Sequence, residues 1–247
     1  MKQTIISKWY ALPILLLLHF GAFAQMEMPL AWQNIAMQNG ETITRVLLFS
    51  ERQFVWTEYQ TQNGTFLSTK GGQWTQDGDR LVFTFEFHTA DTTMVGKSEQ
   101  WLATRDAEGM LLHQNIAGRQ IRWAPMPEES ETPLTGAWLM AGRKRDGEIS
   151  RRDTNVPRKT MKLLTGTRFQ WIAYNTETGQ FFGTGGGRYE AKDGVYTEHI
   201  EFFSRDNSRV GVSLEFQFDI QDKDWHHSGK SSAGAPIYEI WANRKEL

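Results

Sequence analysis

The sequence predicts an all-β protein made of two tandem antiparallel up-and-down β-barrels, related by duplication and preceded by a signal peptide. Three observations predict it. First, the chain repeats itself at an offset of 115 residues. Phe54, Trp56, Tyr59, Thr61, Gly64, Phe66, Thr69, Gly71 and Gly72 return as Phe169, Trp171, Tyr174, Thr176, Gly179, Phe181, Thr184, Gly186 and Gly187. Glu86, Phe87, Asp91, Val95, Gly96 and Ser98 return as Glu201, Phe202, Asp206, Val210, Gly211 and Ser213. So long a period marks a duplicated domain, because solenoid repeats recur every 20–50 residues or so, about half this length or less. Second, each copy alternates short runs of β-branched and aromatic residues with turn pairs. Asn63-Gly64, Asp77-Gly78, Glu108-Gly109, Thr178-Gly179 and Asp193-Gly194 sit where a hairpin needs positive φ. Third, the runs follow one another closely, with little 3.6-residue periodicity and no room for crossover helices, as in a meander.

The elements follow in chain order. Lys2 and Lys8, an apolar run from Tyr10 to Leu18, and Ala22-Phe23-Ala24 have the three-part pattern of a secretory signal peptide, with cleavage expected after Ala24. The apolar run falls short of the roughly 20 residues that span a bilayer. A first domain is expected over residues 25–124 and a second over 134–247. Residues 125–133 between them hold three prolines and three glutamates, which predicts an extended, solvated linker. In the second copy the pattern predicts eight strands, over 136–142, 158–165, 168–175, 180–191, 195–204, 209–220, 223–230 and 236–243. Eight strands suffice to close a barrel. Closure is preferred to a sandwich because it removes edge strands and leaves an interior able to hold one small ligand.

Composition narrows the function classes. The chain has no cysteine, which excludes disulfides and acylation at a cysteine, and domains of about 100 residues can bury a core without staples. Its formal charge of −2 becomes −4 once Lys2 and Lys8 leave with the signal peptide. No global basic field draws it to nucleic acid. Charges on both faces of most strands argue against an outer-membrane barrel, and no transmembrane segment is expected in the mature chain. The expected location is secreted or periplasmic.

Alternation along the strands places aromatics on both faces. Phe169, Trp171 and Ala173 share one face of their strand, and Gln170, Ile172 and Tyr174 the other. Tyr196, Glu198, Ile200 and Phe202 likewise oppose Val195, Thr197, His199, Glu201 and Phe203. A barrel with a partly apolar exterior needs a covering, and the sister domain is the simplest one. Trp32, Trp123, Trp138 and Trp241, on the first and last strands, read as barrel-closing packing.

The blocks Met161-Lys162-Leu163-Leu164, Arg168-Phe169-Gln170-Trp171, Phe181-Phe182-Gly183-Thr184-Gly185-Gly186-Gly187, Ile200-Glu201-Phe202-Phe203-Ser204-Arg205-Asp206 and Asp224-Trp225-His226-His227-Ser228-Gly229 carry a family resemblance. They resemble a lipocalin-like domain of unknown function found in predicted secreted proteins of the Bacteroidetes. The likeness covers nearly all of the second copy. The first copy resembles the family only through the second. What the resemblance implies is a secreted lipocalin-like barrel, with no activity and no assigned site residues.

No catalytic or metal residue and no cofactor is expected, and the chain is not read as an enzyme. The glycines of 183–187 precede a strand, whereas a phosphate loop needs a helix there, so they read as a bulge or bend. Gly229-Lys230-Ser231 reads as a hairpin turn. His199, His226 and His227 do not make a zinc site, since neighbours on a strand face opposite ways and only one of His226 and His227 can point inward. There is no nucleophile elbow. Glu201 and Glu215 would form a polysaccharide-hydrolase pair only if they converged on one cleft.

Positions identical in both copies read as framework, and polar groups found in one copy only are where specificity is sought. Those in the second copy include Arg188, His199, Arg205, Arg209, His226 and His227. The expected ligand is a small hydrophobic or amphipathic molecule held in the second barrel. Phe169, Trp171, Tyr189, Phe203 and Phe216 would line the cavity, and Arg188, Arg209 or His226 would orient a polar end. The rival reading is an interaction module that binds a glycan or partner protein through outer loops. About nine extra residues near the first loop of the second copy bring a run of basic residues, Arg143, Lys144, Arg145, Arg151, Arg152, Arg158 and Lys159. They would be simply solvated or would hold an anionic glycan or lipid headgroup.

Overall fold

In the computed structural model, which describes residues 30–114, 118–129, 131–231 and 234–244, both copies are closed antiparallel barrels. The expected signal peptide lies outside the described residues. The first barrel runs through β1 (Ala31–Gln38), β2 (Glu41–Phe49), β3 (Gln53–Gln60), β4 (Phe66–Asp77), β5 (Arg80–His88), β6 (Ser98–Asp106), β7 (Gly109–Gln114) and β8 (Arg119–Pro125). It closes where Trp32 on β1 pairs with Pro125 on β8. The second runs through β9 (Gly136–Arg145), β10 (Glu148–Arg151), β11 (Arg158–Leu164), β12 (Arg168–Asn175), β13 (Phe181–Lys192), β14 (Val195–Phe203), β15 (Ser213–Gln221), β16 (Asp224–Lys230) and β17 (Pro236–Asn243). It closes by β17 pairing with β9, and β10 is an extra strand outside the closed ring.

Three local features depart from expectation. The inserted segment is a hairpin rather than a loop: Asp146 and Gly147 take φ of 51° and 85°, and β10 pairs with β9 from Gly142 to Arg145. The strand expected from residue 209 starts at Ser213. Asp206 accepts from the Ser208 amide and caps a 3-10 turn over Asn207–Arg209, as Asp91 does over Thr92–Met94 in the first barrel. The Pro/Glu segment is largely exposed but is anchored to the barrels rather than free. Met126 joins an apolar cluster, and Glu128 accepts from Thr165 Oγ1 at 2.7 Å and the Gly166 amide at 2.5 Å.

Each barrel has its own core. Trp32, Phe54, Trp56, Phe83, Trp101 and Trp123 fill the first, and Trp138, Phe169, Tyr189, Tyr196, Trp225 and Trp241 belong to the second. A third cluster lies between the barrels, built from Val46, Val55, Tyr59 and Phe87 on one side and Met161, Ile172, Tyr174 and Phe202 on the other. This is the covering that the two-faced aromatic pattern of β12 requires. The sheet brings Phe202 and Phe87 outward through a β-bulge in each copy. Gly186 pairs with Phe202 but Gly187 with Ile200, so Glu201 is the extra residue, and Phe202 is turned to the outer face. Glu86 is extra in the same way between Phe85 and Phe87. A Cβ on Gly187 would lie 2.0 Å from the His199 carbonyl, which is why a glycine stands at the bulge.

The interface is reciprocal. The Tyr59 ring packs on Phe202 at 5.1 Å and the Tyr174 ring on Phe87 at 4.8 Å, while Phe66 meets its own counterpart Phe181 at 5.9 Å. Tyr59 Oη donates to Glu201 at 3.1 Å, and Tyr174 Oη donates to Glu86 at 2.5 Å. Each pair maps onto the other by the 115-residue offset, so the duplicated domains meet as two copies of a symmetric dimer would. Arg168 pairs with Glu201 and Arg244 with Glu86, which neutralises both carboxylates. At the centre Gln170 joins Thr57, Thr69 and Thr184 by bonds of 2.7–3.1 Å.

Candidate functional site

The second barrel has a cavity of about 190 Å³ at its mouth. The alternation of β12, β14, β15, β16 and β17 builds it. Trp171, Phe203, Leu214 and Phe216 supply an apolar wall, and Lys162, Glu198, His227 and Glu239 supply a polar floor. All four floor residues follow the inward parity of their strands. Lys162 Nζ donates to Glu198 Oε1 at 2.8 Å, with both side chains almost wholly buried. Tyr196 Oη donates to the same carboxylate oxygen at 2.9 Å. The ammonium also lies 4.9 Å from the ring centres of Tyr196 and Trp225 and 5.2 Å from that of Trp241, an aromatic surround that favours a cation.

His227 stands beside this pair and is 1% exposed. Burial first, and then the Lys162 ammonium, push its pKa down to about 4, against the opposing pull of Glu239 and Glu198. Its imidazole is therefore neutral at neutral pH. Glu239 lies 3.6 Å from Nδ1, beyond hydrogen-bond distance, and neither ring nitrogen has a hydrogen-bond partner among the described residues. Burial would raise the Glu239 carboxyl, but His227, Lys162 and Arg143 together hold it below the usual range. The floor thus holds one cation, two carboxylates and a neutral imidazole with a free donor and a free acceptor.

The first barrel has no such floor. The duplication and the strand pairing place Leu47 where Lys162 stands, Phe83 where Glu198 stands, and Leu112 and Ile121 where His227 and Glu239 stand. Its mouth is also filled. Lys70 lies 4.4 Å over the Trp56 ring and 3.4 Å from Glu99, whereas the second barrel has Gly185 at the Lys70 position. A Cβ on Gly185 would come within 2.8 Å of Phe203 and Trp171, both of which line the cavity.

Of the residues singled out in the sequence, Trp171, Phe203 and Phe216 line this cavity. Phe169 and Tyr189 belong to the core of the same barrel, Tyr189 Oη donating to the Thr165 carbonyl. The three polar candidates lie outside, which corrects the expectation that they orient a ligand within. Arg188 is the outward neighbour of Tyr189, two-thirds exposed and 3.5 Å from Glu201. Arg209 sits in the 3-10 turn, paired with Asp206 at 3.2 Å. His226 faces outward because Trp225 and His227 face in, and its Nδ1 lies 2.8 Å from Tyr238 Oη. Arg205 is held by the Phe182 carbonyl, and His199 contacts Ser213 at 2.8 Å. Glu201 is bound by Arg168 and Tyr59 at the interface, while Glu215 is exposed on β15. Lys162, Glu198 and Glu239 belong to this site without a functional motif that singles them out in the sequence.

Among the described residues no helix is long and apolar enough to cross a membrane. No curated protein matches the chain. Among solved structures, the crystal structure of the Cpx pathway activator NlpE from Escherichia coli is similar at 11% identity over 88% of this chain and 93% of that one, with a TM-score of 0.25. Residues 133–245 match the model of a family described as a domain of unknown function, DUF4488. That span contains every strand from β9 to β17, so the second barrel as a whole is similar to that family.

Proposed function

We propose that the chain is a binding module that takes a small amphipathic ligand in the mouth of the second barrel, and that the first barrel is a structural partner. The observation that carries this reading is the replacement of Leu47, Phe83, Leu112 and Ile121 in one copy by Lys162, Glu198, His227 and Glu239 in the other. Burying four ionisable groups where the same fold accepts four apolar ones is costly. A cavity that joins unpartnered polar atoms to an aromatic wall is the usual form of a small-molecule site. The ligand's apolar part would rest on Trp171, Phe203 and Phe216, and a hydroxyl or amide would meet His227. No catalytic role is assigned to these groups. The signal-peptide pattern of residues 1–24 supports a secreted or periplasmic location.

The test is a titration of the full mature chain with 1-octanol, followed by tryptophan fluorescence and calorimetry. Saturable binding is expected, weakened about tenfold or more by Trp171→Ala, since an aromatic wall contributes well over 1 kcal/mol to burial of an alkyl chain. Equal binding by the variant, or none by the native chain, overturns the reading.

A further inference from the structure

The β9–β10 hairpin, which only the second copy has, forms one wall of a cleft of about 460 Å³ beside the cavity. Four arginines line it, Arg143, Arg145, Arg152 and Arg158, together with Ser150 and Thr160. No carboxylate lines the cleft among the described residues. Arg143 reaches out of it to Glu239 at 3.6 Å. Among the described residues the other three form no ion pair, and Arg152 feels the Glu239 carboxylate at longer range. Arg152 Nε donates to the Met140 carbonyl at 2.7 Å, and the Arg158 guanidinium stacks 3.6 Å over the Phe182 ring, so both are held in position by contacts with neutral groups. Burial, and then the neighbouring Arg143 and Arg158, lower the pKa of Arg152. The hairpin therefore gathers like charges that repel one another, and it does so where the first barrel has only Met37, Asn39 and Ile43 at the positions of Arg143, Arg145 and Arg158.

We propose that this cleft binds a phosphate monoester, the doubly charged head of the ligand whose alkyl part the adjoining cavity accepts. The proposal deepens the ligand-binding reading above and rests on it for the alkyl part alone. Three features select the head. A planar guanidinium offers paired donors that match the oxygens of a phosphate, and several of them converge here, more than a single carboxylate would neutralise. Ser150 and Thr160 add hydroxyls at the same wall. Met140, Arg143 and Thr160 line both the cleft and the cavity, so one molecule can occupy the two together.

The experiment is calorimetric titration of the full mature chain at low salt with three probes: inorganic phosphate, 1-octanol and monooctyl phosphate. Inorganic phosphate is expected to bind. Arg145→Gln, at a side chain with no ion pair among the described residues, and Arg152→Gln should each weaken it about tenfold, the scale of one charge-assisted contact. Lys192→Gln, which removes an exposed charge elsewhere, should change it less than about twofold. Arg145→Lys keeps the charge but not the fork and should fall between. Monooctyl phosphate should bind more tightly than either fragment. No binding of inorganic phosphate, or binding that neither arginine variant weakens, overturns the cleft. Failure of octanol with retention of phosphate overturns the cavity reading instead, and marks a site for free phosphate rather than for a lipid-like head.

Discussion

Lys162 donates to Glu198 at 2.8 Å inside the second barrel, at two positions where the core of the first barrel holds Leu47 and Phe83. The duplication makes this an internal control, since the same strands, bulges and turns accept either an apolar pair or an ion pair. The pair is thus not required by the fold.

Breaking it should be far worse than replacing it. Lys162→Leu leaves Glu198 buried with only Tyr196 to donate to it, and should cost about 3–5 kcal/mol, whereas Lys162→Leu with Glu198→Phe, the first barrel's own pair, should recover most of that. Urea denaturation of the two variants and of the native chain measures the difference. A double variant no more stable than the single would show that the second barrel depends on the ion pair.

The reciprocal interface predicts that the two barrels unfold together. Gln170 is 1% exposed and is held by three threonine hydroxyls from both copies. Gln170→Ala should cost roughly 1–3 kcal/mol, the penalty for leaving buried hydroxyls without their partner. Tryptophan fluorescence and far-ultraviolet dichroism should give one superimposable transition in the native chain. Two separated transitions would show that the central cluster does not couple the barrels.

Acidification should destabilise the protein above the range in which carboxylates protonate. The folded pKa of His227 is about 4, against an ordinary 6.5. Between those values the unfolded chain binds a proton that the folded chain does not. Stability therefore falls as the pH drops through this window, by roughly 3 kcal/mol in all for a shift of this size. His88, whose pKa is lowered by burial and then by Lys70, acts in the same direction. Glu86 and Glu239, held low, lose their contribution only at lower pH, as they protonate. His227→Leu, the first barrel's residue, should flatten the dependence of the urea midpoint on pH between 4.5 and 6.5. An unchanged slope would mean that another group sets it.

Much of this architecture is legible in the sequence because hairpin turns and two-residue alternation are local. Asp193-Gly194 ends β13 where expected, and the alternation of Gln170, Ile172 and Tyr174 announces an outer face that must be covered. The bulges are not local in this sense. Glu201 is extra in β14, and after it the phase reverses, so Phe202 goes outward and Phe203 returns to the cavity, against simple alternation. The hairpin at Asp146-Gly147 carried a turn signal that its charged flanks concealed. The polar floor was also written in the pattern. Lys162 between Met161 and Leu163, Glu198 between Tyr196 and Ile200 at a spacing of two, and Glu239 two before Trp241 are charges at inward parity. Histidines and arginines found in one copy only point instead to Arg188, Arg209 and His226, whose side chains face outward.

Gly185 should decide whether the cavity is open. In the first barrel Lys70 occupies this position and lies over Trp56, and the mouth is closed by its stem and by Glu99. In the second, the missing side chain leaves Trp171 and Phe203 edge to face at 5.5 Å with space beside them. A methyl group on Gly185 would sit 2.8 Å from both, so these rings must move into the cavity to admit it. Gly185→Ala should therefore cost about 1–3 kcal/mol of stability through overpacking. It should also abolish binding of 1-octanol while leaving binding of inorganic phosphate in the arginine cleft within about twofold, since Gly185 touches none of the four arginines and a change of that size is under half a kcal/mol. Titrating both probes against this one variant separates the two halves of the site. If octanol still bound with native affinity, the alkyl chain would lie elsewhere, and the difference between Gly185 and Lys70 would reflect packing alone.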